Sequence, residues 1–238
     1  MSRPYRLVIA MLCALLSITF AVSPFFVEGF GGFDPNQFPV PQDHPPVQPA
    51  GYAFGIWGII YGWLILGNLW GLFKAPRDGQ WHDMRLPLCA SLAMGTGWLA
   101  VAVNSPLWAS VLIWAMLVTA LAALFMAPVS DRVWAAYPVG LYAGWLSAAS
   151  CVSLGLLAAG YGLLDQRSAG LVFVALAAMI GAAVQATLRR APTYGIAVIW
   201  ALIAVVIANW DGARDVAWVA IAGAGVVGIS TLRAVLQS

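Results

Sequence analysis

Eight long apolar stretches, separated by short polar connections, dominate the pattern of hydrophobic positions along the chain. A helix needs about 20 predominantly apolar residues to cross the hydrocarbon layer of a bilayer. None of the predicted stretches contains an acidic residue, a basic residue or a histidine. The pattern therefore predicts an all-α fold, a polytopic transmembrane bundle of about eight helices. The predicted spans are residues 7–23, 50–73, 86–104, 106–127, 134–160, 169–188, 193–209 and 216–232.

The composition excludes a soluble protein. Hydrophobic residues make up 62% of the chain and charged residues only 8%, whereas a soluble domain carries about 25% charged residues. So little charge could not cover the surface of the protein in water. The net charge is only +2, so there is no polybasic surface for a nucleic acid. Membrane lipid is therefore an expected partner, and nucleic acid is not.

The basic residues indicate how the chain is oriented in the membrane. With a cytoplasmic N-terminus, only Arg167 and Arg214 fall on the opposite side, and this distribution follows the positive-inside rule. It predicts that both termini are cytoplasmic. A competing interpretation takes residues 7–23, preceded by Arg3 and Arg6, as a cleaved signal peptide. Cleavage would leave seven spans and an N-terminus outside. The basic residues on the cytoplasmic side are Arg3, Arg6, Lys74, Arg77, Arg85, Arg132, Arg189, Arg190 and Arg233.

Residues 24–49 form the one long predicted loop. The segment holds seven of the 14 prolines, together with five phenylalanines, and proline disrupts a helix by removing a donor and clashing with the preceding turn. One interpretation is a lid over the outer mouth of the bundle. The other is an interfacial loop whose phenylalanines touch lipid headgroups. His44 within this loop is interpreted as an exposed polar residue rather than a ligand.

The second span carries two stripes. Four glycines spaced four, three and four residues apart form a seam that predicts close approach of a neighbouring helix. They are Gly51, Gly55, Gly58 and Gly62. An aromatic stripe lies on another face and consists of Phe54, Trp57 and Tyr61. The fifth span has a stripe of residues four apart, Trp145, Ala149 and Ser153. Aromatic rings opposite small side chains make a flat slot, which suits a planar hydrophobic ligand.

The predicted spans offer little for chemistry. Charged residues within a membrane mark proton relays and ion paths, and the predicted spans contain none. No His, Asp or Glu is available in the spans to hold a metal, and three cysteines at wide spacing do not make a zinc site. This argues against ion-coupled transport through charged side chains and against metal catalysis; no metal site and no catalytic enzyme are predicted.

Two segments resemble the signatures of one family. Pro49 to Tyr61 resembles the second-helix signature P-P-x-W-x-F-x-x-x-W-x-x-L-Y of the tryptophan-rich sensory protein / translocator protein (TspO/MBR) family. The fifth-span stripe resembles the family's W-x-x-x-A-x-x-x-N. The order, the spacing and the long first loop also agree. Departures from the signatures include Tyr52 in place of Trp, a gap from Phe54 to Trp57 that is one residue shorter, Ser153 in place of Asn, and Gly95 in place of an Asn before Trp98.

The resemblance implies a longer, divergent bacterial member in the inner membrane. Residues 1–160 would form a TspO-like five-helix bundle with residues 24–49 as its lid, and residues 161–238 would add three transmembrane helices. A homodimer is implied as well, because family members often form one. No cofactor is obligatory, but a porphyrin or haem-like molecule is an expected ligand.

The expected function is that of an integral membrane binding or sensor protein, a receptor for a planar hydrophobic small molecule of porphyrin, tetrapyrrole-like or sterol-like type. The alternative is a transporter of a small neutral or lipophilic substrate, and a structural subunit of an assembly is a third interpretation. Tyr52 and Phe54 are expected near the loop-covered mouth of the pocket. The expected ligand-binding residues are Tyr52, Phe54, Trp57, Tyr61, Trp145 and Ala149.

Overall fold

The computed structural model describes residues 3–27 and 31–236, and within them the chain forms eight α-helices. All eight are long and apolar enough to cross a membrane, which confirms the predicted all-α transmembrane bundle. Short 3₁₀ segments at Ser23–Phe26, Pro35–Gln37 and Gly51–Gly55 lie between the first two helices. The helices are α1 Arg3–Val22, α2 Ile56–Lys74, α3 Gly79–Ala102, α4 Pro106–Met126, α5 Ala136–Gly160, α6 Gln166–Thr187, α7 Pro192–Asn209 and α8 Arg214–Leu236.

Helix α5 is the centre of the bundle. It packs against α4, α6 and α7 along its length and also meets α2. Helices α1 and α3 pack together on one side of it, and α8 packs against α6 and α7 on the other. Nearly every residue of α5 is buried, so this helix connects the first half of the chain to the last three helices.

Glycines allow α7 to approach α5 closely. A Cβ atom on Gly140 would lie 2.6 Å from the hydroxyl oxygen of Thr193. A Cβ atom on Gly144 would overlap the carbonyl oxygen of Tyr194 and lie 3.0 Å from the Cβ of Ala197. Small residues let helix backbones approach in this way, and the gain is van der Waals packing. The α5–α7 contact therefore depends on two positions without side chains.

The predicted glycine seam of the second span is not used in this way. A Cβ atom added at Gly51, Gly55, Gly58 or Gly62 would meet nothing within 4 Å, and all four glycines are exposed. The prediction that a neighbouring helix packs on this seam is therefore wrong for the described chain. Helix α2 instead makes its close contact near its other end, where a Cβ on Gly67 would overlap the carbonyl oxygen of Trp134.

The third helix begins earlier than predicted, at Gly79 rather than at residue 86. The side chain of Asp78 caps it by accepting a hydrogen bond from the backbone nitrogen of Trp81 at 3.0 Å, as an N-cap aspartate does. Pro87 lies inside this helix. Helix α3 therefore includes His82, Asp83 and Arg85, which were predicted to lie in the connection before the third span.

Arg85 is accommodated in α3 by local contacts. Its side chain is fully buried, and its guanidinium lies over the ring of Trp81, 5.0 Å from the centroid. Its Nη1 donates to the carbonyl oxygen of Ala75 at 3.1 Å. A cation over an indole face is attracted by the ring quadrupole, which offsets part of the cost of burying the charge.

The connections define two ends of the bundle. The long loop contacts the ends of α3, α5 and α7, where Gln37 Nε2 donates to Val103 O, Val40 N to Gly160 O, and Asn209 Nδ2 to Pro46 O, each at 2.9 Å. We call this end the loop side. At the opposite end, Arg6 Nη1 at the start of α1 donates to Arg77 O at 3.0 Å. We call that end the terminal side.

The described part of the long loop, residues 24–27 and 31–49, folds onto the bundle. Phe38 and Val47 are buried against Gly160 and Gly155 of α5. Phe25 and Phe26 point the other way and are 85% and 84% exposed. Residues 28–30 of the predicted lid lie outside the described residues. The loop thus has one part that covers the bundle and another whose rings are exposed.

Candidate binding cavity

An apolar cavity of about 320 Å³ lies among α1–α5, with Pro24 and Val27 of the loop in its wall. We call it the inner cavity. Its volume is at the lower end of the roughly 300–1,000 Å³ range of small-molecule sites. Among the described residues, its lining contains no charged side chain. A ligand here would be held through apolar area, ring contacts and neutral hydrogen bonds.

Aromatic rings form the walls of the inner cavity. Trp57 and Tyr61 are one turn apart on α2 and stack with their centroids 5.2 Å apart and an interplanar angle of 20°. Trp145 of α5 stands edge-on to Trp57, at 6.3 Å and 80°. Phe54 approaches Trp145 at 5.8 Å and 78°. Flat faces from two helices therefore converge on one space.

Two further helices, α3 and α1, complete the aromatic wall. Trp98 of α3 lines the cavity, and its indole Nε1 donates to the carbonyl oxygen of Ala109 in α4 at 2.9 Å. Phe20 of α1 stands edge-on to Tyr61, at 5.0 Å between centroids. A Cβ atom on Gly95 would lie 2.6 Å from the Phe20 ring. The ring of Phe20 therefore depends on the absence of a side chain at Gly95.

A smaller cavity of about 70 Å³ adjoins the inner cavity on the far side of Trp145 and Ala149. We call it the side cavity. Phe54, Trp98 and Ile113 also line both spaces. Its other walls come from α6, α7 and the loop, including Phe173, Leu202 and Phe33. The last three helices therefore contribute directly to the candidate site.

The structure brings five of the six predicted site residues together. Phe54, Trp57, Tyr61, Trp145 and Ala149 line the inner cavity. Tyr52 lies elsewhere: it is 46% exposed, and its ring packs edge-on against Trp200 at 5.5 Å. Residues 51–55 form a 3₁₀ turn rather than the regular helix predicted for the second span. As a result, Tyr52 contacts Trp200, whereas Phe54 contacts Trp145.

Sequence reasoning missed several lining residues. Phe20 and Phe33 carry no signal of their own, because α1 and the loop show no aromatic stripe. Phe173 and Leu202 belong to helices that the resemblance does not reach. Trp98 belongs to a family motif, and the structure places it in the walls of both cavities.

Serine and tyrosine hydroxyls pair with each other around α5. Ser91 Oγ lies 2.8 Å from the hydroxyl oxygen of Tyr142, and it donates to the carbonyl oxygen of Met116. Ser110 and Ser153 are also hydrogen-bonded. Buried polar groups in apolar surroundings are normally paired in this way. The Ser91–Tyr142 pair links α3 and α5 by a hydrogen bond between two uncharged side chains.

The fold and the cavity together define the chain as a multi-pass helical membrane protein with an internal apolar site under a proline-rich loop. The chain matches the family described as TSPO-like protein over residues 37–233. It therefore belongs to the family of TSPO-like proteins. The match includes α6–α8 and so extends beyond residue 160, where the resemblance of the signatures ends. Comparisons with curated proteins and with solved structures give no match.

Proposed function

We propose that this protein is a membrane binding or sensor protein whose inner cavity takes a planar hydrophobic ligand of tetrapyrrole-like or sterol-like type. The observation that carries the proposal is the convergence of Trp57, Tyr61 and Trp145 on one uncharged cavity. Burying apolar area contributes about 25 cal/mol per Å², and well-placed aromatic pairs contribute about 0.5–1.5 kcal/mol more. Affinity of this kind needs no cofactor and no charged side chain.

Transport of a small lipophilic substrate is the second candidate function. The adjoining side cavity, which α6 and α7 help to line, supports it by extending the apolar space. The buried Tyr142–Ser91 pair and Met116 occupy the region next to the inner cavity, and this packing favours binding over passage. Saturable binding without movement of the ligand across vesicles would distinguish the two functions.

Replacing Trp145 by alanine is expected to weaken ligand binding by about tenfold or more. The substitution removes one aromatic face, worth on the order of 1–3 kcal/mol, and 1.4 kcal/mol corresponds to tenfold. The measurement is the quenching of tryptophan fluorescence by protoporphyrin IX. Trp108→Ala is the matched control, because Trp108 is 64% exposed on α4.

Two results would contradict this prediction. Equal affinities of wild type and Trp145→Ala would put the binding site elsewhere. Quenching that never saturates in wild type would remove porphyrins as ligands. Because Trp145 is buried, Trp145→Phe serves as a second variant that keeps a ring in place and limits the loss of packing. It should bind with intermediate affinity.

We further propose that the protein lies in a bacterial inner membrane with both termini in the cytoplasm. Lys74, Arg132 and Arg189 lie at or between helix ends of the terminal side, and positive charge favours the cytoplasmic side. A cytoplasm-active reporter fused after Ser238 should be active, and the same reporter inserted within residues 30–45 should be inactive. Activity at both positions, or only in the loop, would contradict this topology.

A further inference from the structure

A polar cavity of about 450 Å³ lies on the loop side, outside the two apolar cavities. We call it the vestibule. The loop forms most of its wall, and the end of α7 forms the rest. Its polar side chains are Gln42, Asp43, His44, Gln48 and Asn209. The vestibule therefore differs in chemistry from the inner cavity, whose lining is apolar and aromatic.

Gln42 carries an unused acceptor in this wall. The residue is only 4% exposed, and its Nε2 donates to the carbonyl oxygen of Val40 at 2.9 Å. Its Oε1 is buried and has no hydrogen-bond partner among the described residues. Buried polar atoms are paired in the great majority of proteins. Gln42 lines the vestibule, but Oε1 itself has almost no accessible surface, so a donor from outside the chain reaches it only after a rotation of the Gln42 side chain.

Asp43 adds a second acceptor and a negative charge next to Gln42. An ionised carboxylate only accepts hydrogen bonds, whereas the His44 imidazole has one donor and one acceptor when neutral. Both arginines of this side are engaged elsewhere. Arg167 pairs with Asp215 at 2.7 Å, and Arg214 Nε donates to the carbonyl oxygen of Trp210 at 3.1 Å. The vestibule therefore favours a donor or a cation over an anion.

The vestibule adjoins the side cavity. Phe33, Gln48 and Pro49 line both spaces, and the side cavity in turn shares Trp145 and Ala149 with the inner cavity. Three neighbouring spaces thus lead from polar walls on the loop side to apolar walls among α1–α5. A molecule with an apolar body and one polar end would meet matching chemistry along this series.

Building on the proposed function, we propose that the ligand is an amphiphile with a hydrogen-bond-donating head. Its planar apolar body occupies the inner and side cavities. Its head is an alcohol or an amine, which lies in the vestibule and donates to Gln42 Oε1 and the Asp43 carboxylate. A carboxylate in the vestibule is disfavoured, because it would face an acidic side chain and a carbonyl oxygen that offer it no proton, so a porphyrin would bind with its propionates outside the vestibule.

The test uses four probes with the same planar body, three with different polar heads and one without a head. The probes are butylpyrene, pyrenebutanol, pyrenebutylamine and pyrenebutyric acid, and energy transfer from tryptophan to pyrene in detergent-solubilised protein reports binding. The amine is expected to bind more tightly than the acid. Differences in detergent partitioning are removed by comparing the acid-to-amine ratio of dissociation constants between variants.

Asp43→Asn keeps an acceptor but removes the charge, and Asp43 is exposed, so the fold is not at stake. The acid-to-amine ratio is expected to fall by roughly fivefold to tenfold, as for the loss of a charge-assisted hydrogen bond. Asp211→Asn makes the same change of charge at an exposed position of the α7–α8 connection and should leave the ratio unchanged. Equal ratios in all three proteins, or tighter binding of the acid in wild type, would overturn the inference.

Gln42 is tested with the alcohol. Gln42→Met removes the acceptor and should weaken pyrenebutanol binding by roughly fivefold relative to butylpyrene. If Gln42→Met binds pyrenebutanol and butylpyrene with the same relative affinity as wild type does, Gln42 does not receive the head and the inference fails. If none of the four probes binds saturably to wild type, both the proposed binding function and the inferred head group are wrong. If all four probes bind equally well, the binding function stands and only the inference about the head group is wrong.

Discussion

Gly144→Ala is expected to destabilise the bundle by about 3 kcal/mol, the upper part of the range for overpacked cores. The new methyl group would overlap the carbonyl oxygen of Tyr194 and lie 3.0 Å from the Cβ of Ala197. The overlapping atom is backbone, so no side-chain rotation relieves it. Helices α5 and α7 must separate, and the separation weakens the 2.8 Å contact between Ser147 Oγ and the Tyr194 hydroxyl.

The measurement is unfolding of the detergent-solubilised protein by a denaturing detergent, followed by circular dichroism. Gly97→Ala is the matched control, because a Cβ at Gly97 of α3 meets nothing within 4 Å. That substitution should be neutral or stabilise the protein by up to about 1 kcal/mol, since alanine favours helix over glycine. Equal effects of the two substitutions would mean that α7 does not pack on Gly144 as described.

Ala149→Phe is expected to abolish ligand binding, with a loss of affinity of about a hundredfold or more, or about 2.8 kcal/mol. Ala149 lines both the inner and the side cavity. A phenyl group there would fill space that lies against Trp145 and divide one cavity from the other. The fold should survive, because the added ring enters an existing space instead of a packed contact.

Quenching by protoporphyrin IX and energy transfer to butylpyrene both measure this loss. Ala93→Phe is the control, because Ala93 is exposed on α3 and the same ring would face away from the bundle. Unfolding curves of both variants check that the fold is retained. Unchanged affinity in Ala149→Phe would show that the ligand occupies another part of the protein, and the proposed site would be abandoned.

The resemblance to the family is readable in the sequence because its signatures are local. Trp57 and Tyr61 lie one turn apart on any helix, and Trp145 and Ala149 do so as well. Their spacing alone therefore places each pair on one helical face. That the two faces meet across α2 and α5 is inferred from the pairing of an aromatic stripe with a small-residue stripe, and the structure places the ring centroids of Trp57 and Trp145 6.3 Å apart.

Other parts of the site could not be read from spacing. Tyr52 is two residues from Phe54, but the 3₁₀ turn at Gly51–Gly55 directs Tyr52 to Trp200 and Phe54 to the cavity. Gln42 is one of several polar residues in a loop, and only the fold shows that its Oε1 is buried without a donor. Such features depend on neighbours distant in the chain, which periodicity does not report.

The sequence by itself determined the number of helices and the position of the long loop. Apolar runs of sufficient length must be helical in a bilayer, because every backbone polar group has to be paired within the segment. Prolines between residues 24 and 49 exclude a further helix there. These are local requirements, and each is met or violated by the residues of one segment alone.

The tertiary structure decided which residues are tolerated inside a helix and which faces pack. Arg85 is tolerated in α3 because its guanidinium lies over the Trp81 ring and donates a hydrogen bond to the carbonyl oxygen of Ala75. A hydropathy pattern does not reveal such contacts. The glycine seam from Gly51 to Gly62 and the glycine pair in α5 look alike in sequence, yet only the pair meets a neighbour. The physical reason is that close packing depends on both partners, whereas a sequence pattern describes only one.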